Sequence, residues 1–141
     1  MTTSIVRQAF YPHPPARVWR ALTEPAALSA WLMPNDFQPR LGHRFTFLTE
    51  PVPPHFDGVV RCEVTELDPP RRLAYTWLGG PEVETRVRFR LLPESGGTRL
   101  HFEHSGFDLD RPAHLAAYQG MSSGWPGIIE DRLRQAVDDL G

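Results

Sequence analysis

Among the side chains that could do chemistry, the imidazole of His104 is the one whose position in the sequence most favours a role. It shares strand phase with Phe102, so it should point into the protein. There it could hydrogen-bond a bound molecule or act as a general base. Alternatively, it is a structural histidine bonded to a nearby carbonyl or hydroxyl. Catalysis would need a second polar group, and hydroxyls are available on Tyr75, Thr85 and Tyr118. His104 is therefore the catalytic candidate, without a defined partner.

The other histidines and the carboxylates do not form a pattern typical of metal or paired-carboxylate chemistry. His101 and His104 should point to opposite faces of a sheet and cannot bind one ion. No carboxylate has the inward phase of the predicted strands 82–92 and 99–104, which disfavours a hydrolase with two carboxylates. The remaining histidines show no ligand spacing: His13, His43, His55 and His114. The sequence predicts no metal site and no cofactor.

Two absences exclude several covalent and phosphate chemistries. All 15 basic residues are arginine, and a Walker-type phosphate loop or a Schiff-base enzyme needs a lysine. The single cysteine, Cys62, cannot form a disulfide within the chain or a CxxC redox pair. Because it lies between Val60 and Val64 on a predicted strand, we expect a small buried hydrophobic side chain rather than a nucleophile.

The charges favour neither a nucleic acid nor a membrane partner. Net charge is −2 and the isoelectric point is about 6.3, so no general attraction to polyanions is expected. Arginines at 86, 88 and 90 share one strand face without interleaved aromatics, which indicates a solvated surface. Glutamates at 63, 84 and 103 could neutralise that surface. We also expect no membrane span, no secretory signal and a cytoplasmic location. The sequence is compatible with a homodimer but does not predict the oligomeric state.

Hydrophobic periodicity predicts the elements that would position these residues. Apolar and polar residues alternate in five segments after the first strand, whereas the spacing is three to four along the tail. Pro126 either kinks the tail helix or separates two helices, with the first ending near Gly124, and we favour two helices. The predicted strands are 3–11, 44–48, 58–67, 73–77, 82–92 and 99–104, and the predicted helices are 15–22, one beginning at 25, about 112–122 and about 125–140. A helix laid across an antiparallel sheet, in an α+β domain spanning 1–141, buries both apolar faces.

The order of these elements resembles the helix-grip fold of the START-like (SRPBCC) superfamily, and several segments resemble its AHSA-like branch. The segments are PPARVWRALT (14–23), WL (31–32), DPPRRL (68–73) with YTW (75–77), TRL (98–100) with HSGF (104–107), and GWP (124–126) with Leu133. The resemblance implies a curved antiparallel sheet of about six strands wrapped around a long C-terminal helix, with two short helices after the first strand.

The resemblance also implies an apolar cavity between sheet and helix, although the same aromatic pattern would suit an ordinary core. Its expected lining is Phe47, Tyr75, Trp77, Thr85, Val87, Phe89, Phe102, His104, Tyr118, Met121, Trp125 and Ile129. We expect a small hydrophobic or amphipathic ligand there. The alternative is a cavity enzyme of cyclase, dehydratase or hydrolase type using His104. A co-chaperone role is less favoured, because the family's co-chaperone carries an additional N-terminal domain that 141 residues would not hold.

Overall fold

The computed structural model describes residues 2–54, 56–80 and 83–140, which form one antiparallel sheet and four α-helices. His55 and the first position of the predicted strand 82–92 lie outside the described residues. The sheet order is β1-β6-β5-β4-β3-β2, and all neighbours are antiparallel. The strands are β1 (Thr2–Tyr11), β2 (Arg44–Leu48), β3 (Val59–Asp68), β4 (Arg72–Leu78), β5 (Glu84–Glu94) and β6 (Gly97–Asp108). The predicted α+β helix-grip architecture is confirmed.

Strand β5 shows why the sheet has one apolar face. Thr85, Val87, Phe89 and Leu91 are buried, whereas the residues between them are exposed or half-buried. This is the predicted alternation of period two. The turn from β5 into β6 comprises two residues, Ser95 and Gly96, with φ of 42° and 79°. Two successive positive φ values suit a tight hairpin, since their twist matches that of the strands.

Two short helices follow β1, as predicted. They are α1 (Pro15–Thr23) and α2 (Pro25–Trp31), and each begins with a proline at its first position. A proline there costs no hydrogen bond, because the first amides of a helix have no partner within it. Trp31 is fully buried and donates its indole N–H to the carbonyl of Ala21 at 2.8 Å. The two helices are thereby joined to each other beneath the sheet's apolar face.

The C-terminal helix differs from its prediction. The expected break near Gly124 is wrong, because helical structure runs without interruption from Pro112 to Asp139, over 28 residues. It comprises α3 (Pro112–Gly127), a π-helical turn (Ile128–Arg132) and α4 (Leu133–Asp139).

Helical hydrogen bonding resumes two residues after Pro126. Proline removes one amide donor, but the amide of Ile128 reaches the carbonyls of both Gly124 and Trp125. The wider π turn then begins, with the amide of Leu133 donating to the carbonyl of Ile128. Such turns are inserted into α-helices at isolated points, frequently at functional sites.

Candidate functional site

His104 lies at the centre of a hydrogen-bonded chain between the C-terminal helix and the sheet. Its Nδ1 atom is 3.0 Å from the indole Nε1 of Trp125, and its Nε2 atom is 2.6 Å from Oγ1 of Thr85. The Thr85 hydroxyl lies 3.0 Å from the backbone carbonyl of Trp77. His104 and its partners are buried, so these bonds form away from water.

The hydrogen-bond donors in this chain determine which nitrogen of the imidazole carries the proton. An indole N–H can only donate, so Nδ1 of His104 must accept and therefore carries no proton. The proton is then on Nε2, which donates to the Thr85 oxygen, and the Thr85 hydroxyl donates onward to the carbonyl of Trp77. Every polar atom of this chain has a partner, which is the structural alternative expected for a buried histidine.

Burial lowers the pKa of His104 from 6.5 to about 3, because the charged imidazolium would be desolvated. A general base at neutral pH needs a pKa near 7 and a free lone pair. In this arrangement the lone pair on Nδ1 of His104 accepts the indole N–H of Trp125, and the proton on Nε2 is donated to the hydroxyl oxygen of Thr85. The geometry therefore favours a positioning role for His104, and the cavity enzyme stays a prediction.

The predicted lining residues lie together between the sheet and the C-terminal helix, and we call them the inner site. All are buried except Tyr118 and Met121 on α3, which are half-buried. Their rings are in contact: Phe102 and Trp125 have centroids 4.5 Å apart, and Trp77 and Trp125 are 5.7 Å apart. The rings are closely packed, and the predicted cavity in the inner site stays a prediction.

Comparison with known proteins supports the same assignment as the fold. A family model described as "Activator of Hsp90 ATPase homolog 1-like protein" matches residues 12–138. The chain belongs to this family. The resemblance expected from the segments is therefore confirmed. No curated protein matches the AHSA1-like chain at a significant level.

Solved structures of similar proteins cover nearly the whole AHSA1-like chain. Protein MLL2253 from Mesorhizobium loti is 38% identical over 99% of both chains, with a TM-score of 0.84. Protein BH1534 from Bacillus halodurans is 29% identical over 97% of this chain and 99% of that one, with a TM-score of 0.78. CalU16 from Micromonospora echinospora is 25% identical over 97% of this chain and 67% of that one, with a TM-score of 0.73. These three structures share the fold of this chain, and their names indicate no ligand.

Three buried polar atoms in the AHSA1-like interior have no hydrogen-bond partner in the described structure: Tyr75 Oη, Trp77 Nε1 and Ser122 Oγ. A Cβ atom on Gly79 would lie 3.3 Å from Trp77 Nε1 and 3.7 Å from Met121 Cε. The indole N–H therefore lies where the end of β4 meets α3. Ser122 was not among the predicted site residues, because its sequence surroundings match no motif.

The other candidate groups are not part of the inner site. Cys62 is buried and unpaired, and burial raises its thiol pKa, so it is the inert hydrophobic side chain predicted. His101 is half-buried on the outer face of the sheet. The buried Nδ1 of His114 accepts from the amide of Asp108 at 3.0 Å. Within residues 2–54, 56–80 and 83–140, no cluster of histidine, cysteine and acidic groups could hold a metal, and no helix is long and apolar enough to cross a membrane.

Proposed function

We propose that this protein binds a small hydrophobic or amphipathic molecule at the inner site. The observation that carries the proposal is the pair of unpartnered polar atoms, Tyr75 Oη and Trp77 Nε1, on adjacent inward positions of β4. Leaving a buried donor or acceptor without a partner costs about 1–3 kcal/mol. A ligand that satisfied these atoms would recover that energy on binding.

The two atoms indicate the polar part of the ligand. The Trp77 N–H requires an acceptor, such as a carbonyl, ether or hydroxyl oxygen. Burial raises the pKa of Tyr75 well above its ordinary value of 10, so its hydroxyl is neutral and can either donate or accept. The inner site contains no arginine, and an anion buried there would be desolvated without compensation. A neutral polar group on an apolar body therefore fits best.

Space for the ligand must come from movement of half-buried side chains. Phe47, Tyr75 and Phe89 have no exposed surface, so the sheet side of the inner site is closed to solvent. Tyr118 and Met121 on α3 are partly exposed and pack against the core. Met has three rotatable bonds and adapts readily to a new neighbour. Entry between α3 and the end of β4 requires the least rearrangement.

Titration with a neutral fluorescent naphthyl ketone tests the proposal, since this probe combines an aromatic body with one acceptor oxygen. We expect saturable binding with a blue shift of probe emission. Trp77→Phe keeps an aromatic side chain but removes the pyrrole ring with its N–H, so it should weaken binding about tenfold, which corresponds to about 1.4 kcal/mol.

Trp19→Phe is the matched control, because Trp19 is a half-buried indole on α1 outside the inner site. Its affinity for the ketone should equal that of the unmodified protein. Absence of saturable binding by this ketone and its aliphatic homologues would contradict the proposal. So would equal affinities for the Trp77→Phe and Trp19→Phe proteins.

A further inference from the structure

The outer face of the sheet, opposite the inner site, carries a groove of about 330 Å³ that the family comparison does not explain. Its basic side chains are Arg72 on β4, Arg88 and Arg90 on β5, and His101 on β6. We call this feature the outer groove. Because the chain has no lysine, its permanent positive charges are all guanidinium groups, whose planar forks match oxyanions.

The strand register places three of these basic residues in one row across the sheet. Arg72 is directly opposite Arg90, and Arg90 is directly opposite His101. Adjacent strands are about 4.8 Å apart, so the row spans about 10 Å of backbone. Two arginines directly opposite each other repel and destabilise a sheet. A bound anion would remove that repulsion.

Two carboxylates also line the outer groove, those of Glu66 and Glu103, and both lie against Arg88 rather than against this row. Oε1 of Glu66 is 3.4 Å from Nε of Arg88, and Glu103 is directly opposite Arg88 in the strand register. No carboxylate within the described part of the chain forms an ion pair with Arg72 or Arg90. The neutralisation expected from Glu63 is also not found, because Glu63 pairs with an arginine on β2. The positive charge therefore stays concentrated along the row.

We infer that the outer groove binds the phosphoryl group of a small molecule, with Arg72 and Arg90 as its ligands and His101 as a third donor. A phosphoryl group has three terminal oxygens and can accept one donor from each of three strands, whereas a carboxylate has two oxygens in one plane. The groove is larger than one phosphate requires. Val6, 60% exposed at the β1 end, would contact an apolar part of the molecule.

The test is calorimetric titration with inorganic phosphate at low ionic strength and slightly alkaline pH, where phosphate and succinate both carry close to two charges. We expect saturable phosphate binding by the unmodified protein and at least tenfold weaker succinate binding. The double variant Arg72→Gln/Arg90→Gln should bind phosphate at least tenfold more weakly. In the absence of phosphate, its thermal midpoint should equal or exceed that of the unmodified protein, since the repulsion is gone.

Arg44→Gln is the control, because Arg44 projects from the same sheet face on β2, outside the groove. Its phosphate affinity should match that of the unmodified protein. Equal losses in Arg44→Gln and the double variant would overturn the inference by showing general charge attraction. Equal affinities for succinate and phosphate would overturn the phosphoryl assignment. The naphthyl ketone is uncharged, and its affinity should be the same in the double variant, so the two sites are tested separately.

Discussion

Trp125 on the C-terminal helix donates its indole N–H to Nδ1 of His104 on β6, over 3.0 Å. This bond, rather than any catalytic partner, sets the tautomer of the imidazole. The chain then continues through Thr85 on β5 to the carbonyl of Trp77 on β4. One helix is thus connected through side chains to three successive strands of the sheet. The inner aromatic rings are therefore held in a fixed arrangement around the two unpartnered atoms of β4.

The first prediction concerns pH. In the folded protein burial lowers the pKa of His104 from 6.5 to about 3. Between these values the unfolded chain binds a proton that the folded chain does not. The contribution of His104 to the free energy of unfolding is therefore complete above pH 6.5. It is lost as the pH falls toward about 3, by up to about 1.4 kcal/mol per pH unit. Urea unfolding at a series of pH values measures it.

His101→Gln should keep this pH dependence, because His101 lies on the opposite face of β6. His104→Gln should reduce it. If that variant does not fold, nitrogen NMR of the unmodified protein serves instead. It should show one imidazole that stays neutral, with its proton on Nε2, down to about pH 4. Titration of every histidine near its ordinary pKa would contradict the prediction.

The second prediction concerns the hydroxyl at the centre of the chain. Thr85→Val conserves shape but leaves the Nε2 proton of His104 without its acceptor and removes the hydroxyl that donates to the carbonyl of Trp77. We expect a loss of about 1–3 kcal/mol in the free energy of unfolding. Thr65→Val, on the exposed side of β3, should change it by less than about 0.5 kcal/mol. Equal effects in urea unfolding would contradict the assigned bonds.

Much of the fold could be predicted because its signals are local and repeated. The alternation along β5 and the prolines that begin α1 and α2 each act within a few residues. Pro126 misled the prediction for the same reason. Its local effect indicates a break, but the helix continues, with the amide of Ile128 bonded to two carbonyls and a π turn directly after it.

The candidate site was predictable in its membership but not in its bonding. Strand phase identified His104 and Thr85 as inward residues, yet their connection to Trp125 depends on where the helix crosses the sheet. Unpartnered atoms are still less accessible from sequence, because they are defined by the absence of neighbours. Tyr75 Oη and Trp77 Nε1 could be recognised only once the surrounding residues were in place.

The third prediction concerns Arg17, which holds the end of the C-terminal helix. Its guanidinium donates to the carbonyls of Val137 at 2.9 Å, Asp138 at 3.0 Å, and Leu140. These carbonyls lie in and just after the last turn, where a helix leaves carbonyls without helical donors; the carbonyl of Val137 also accepts the amide of Leu140. Arg17→Met should lower the free energy of unfolding by roughly 1.5–3 kcal/mol, the range for bonds to a charged donor.

Arg44→Met provides the comparison for Arg17, because Arg44 forms an ion pair while its side chain stays 86% exposed. Exposed pairs contribute less than about 1 kcal/mol, so this variant should remain close to the unmodified protein in urea unfolding. Equal stabilities for the two variants would mean that the helix end does not depend on Arg17.

The fourth prediction compares two buried tyrosines. The hydroxyl of Tyr11 donates to the carbonyl of Ile129 in the π turn at 2.7 Å, so Tyr11→Phe should cost about 1–3 kcal/mol of stability by leaving that carbonyl unpaired. Tyr75 has the opposite situation, because its hydroxyl is buried without a partner. Tyr75→Phe removes a desolvated group and should leave stability unchanged or raise it by up to about 2 kcal/mol. Chemical unfolding of the two variants measures both signs.

The same pair separates stability from binding. A residue that lowers stability in the free protein but contacts the ligand is typical of functional sites. Tyr75→Phe should therefore weaken binding of the naphthyl ketone while the protein becomes no less stable. Tyr11→Phe should leave that affinity unchanged at temperatures where the variant is folded, since Tyr11 bonds to the helix outside the inner site. A destabilised Tyr75→Phe protein with unaltered ketone affinity would show that Tyr75 is an ordinary core residue.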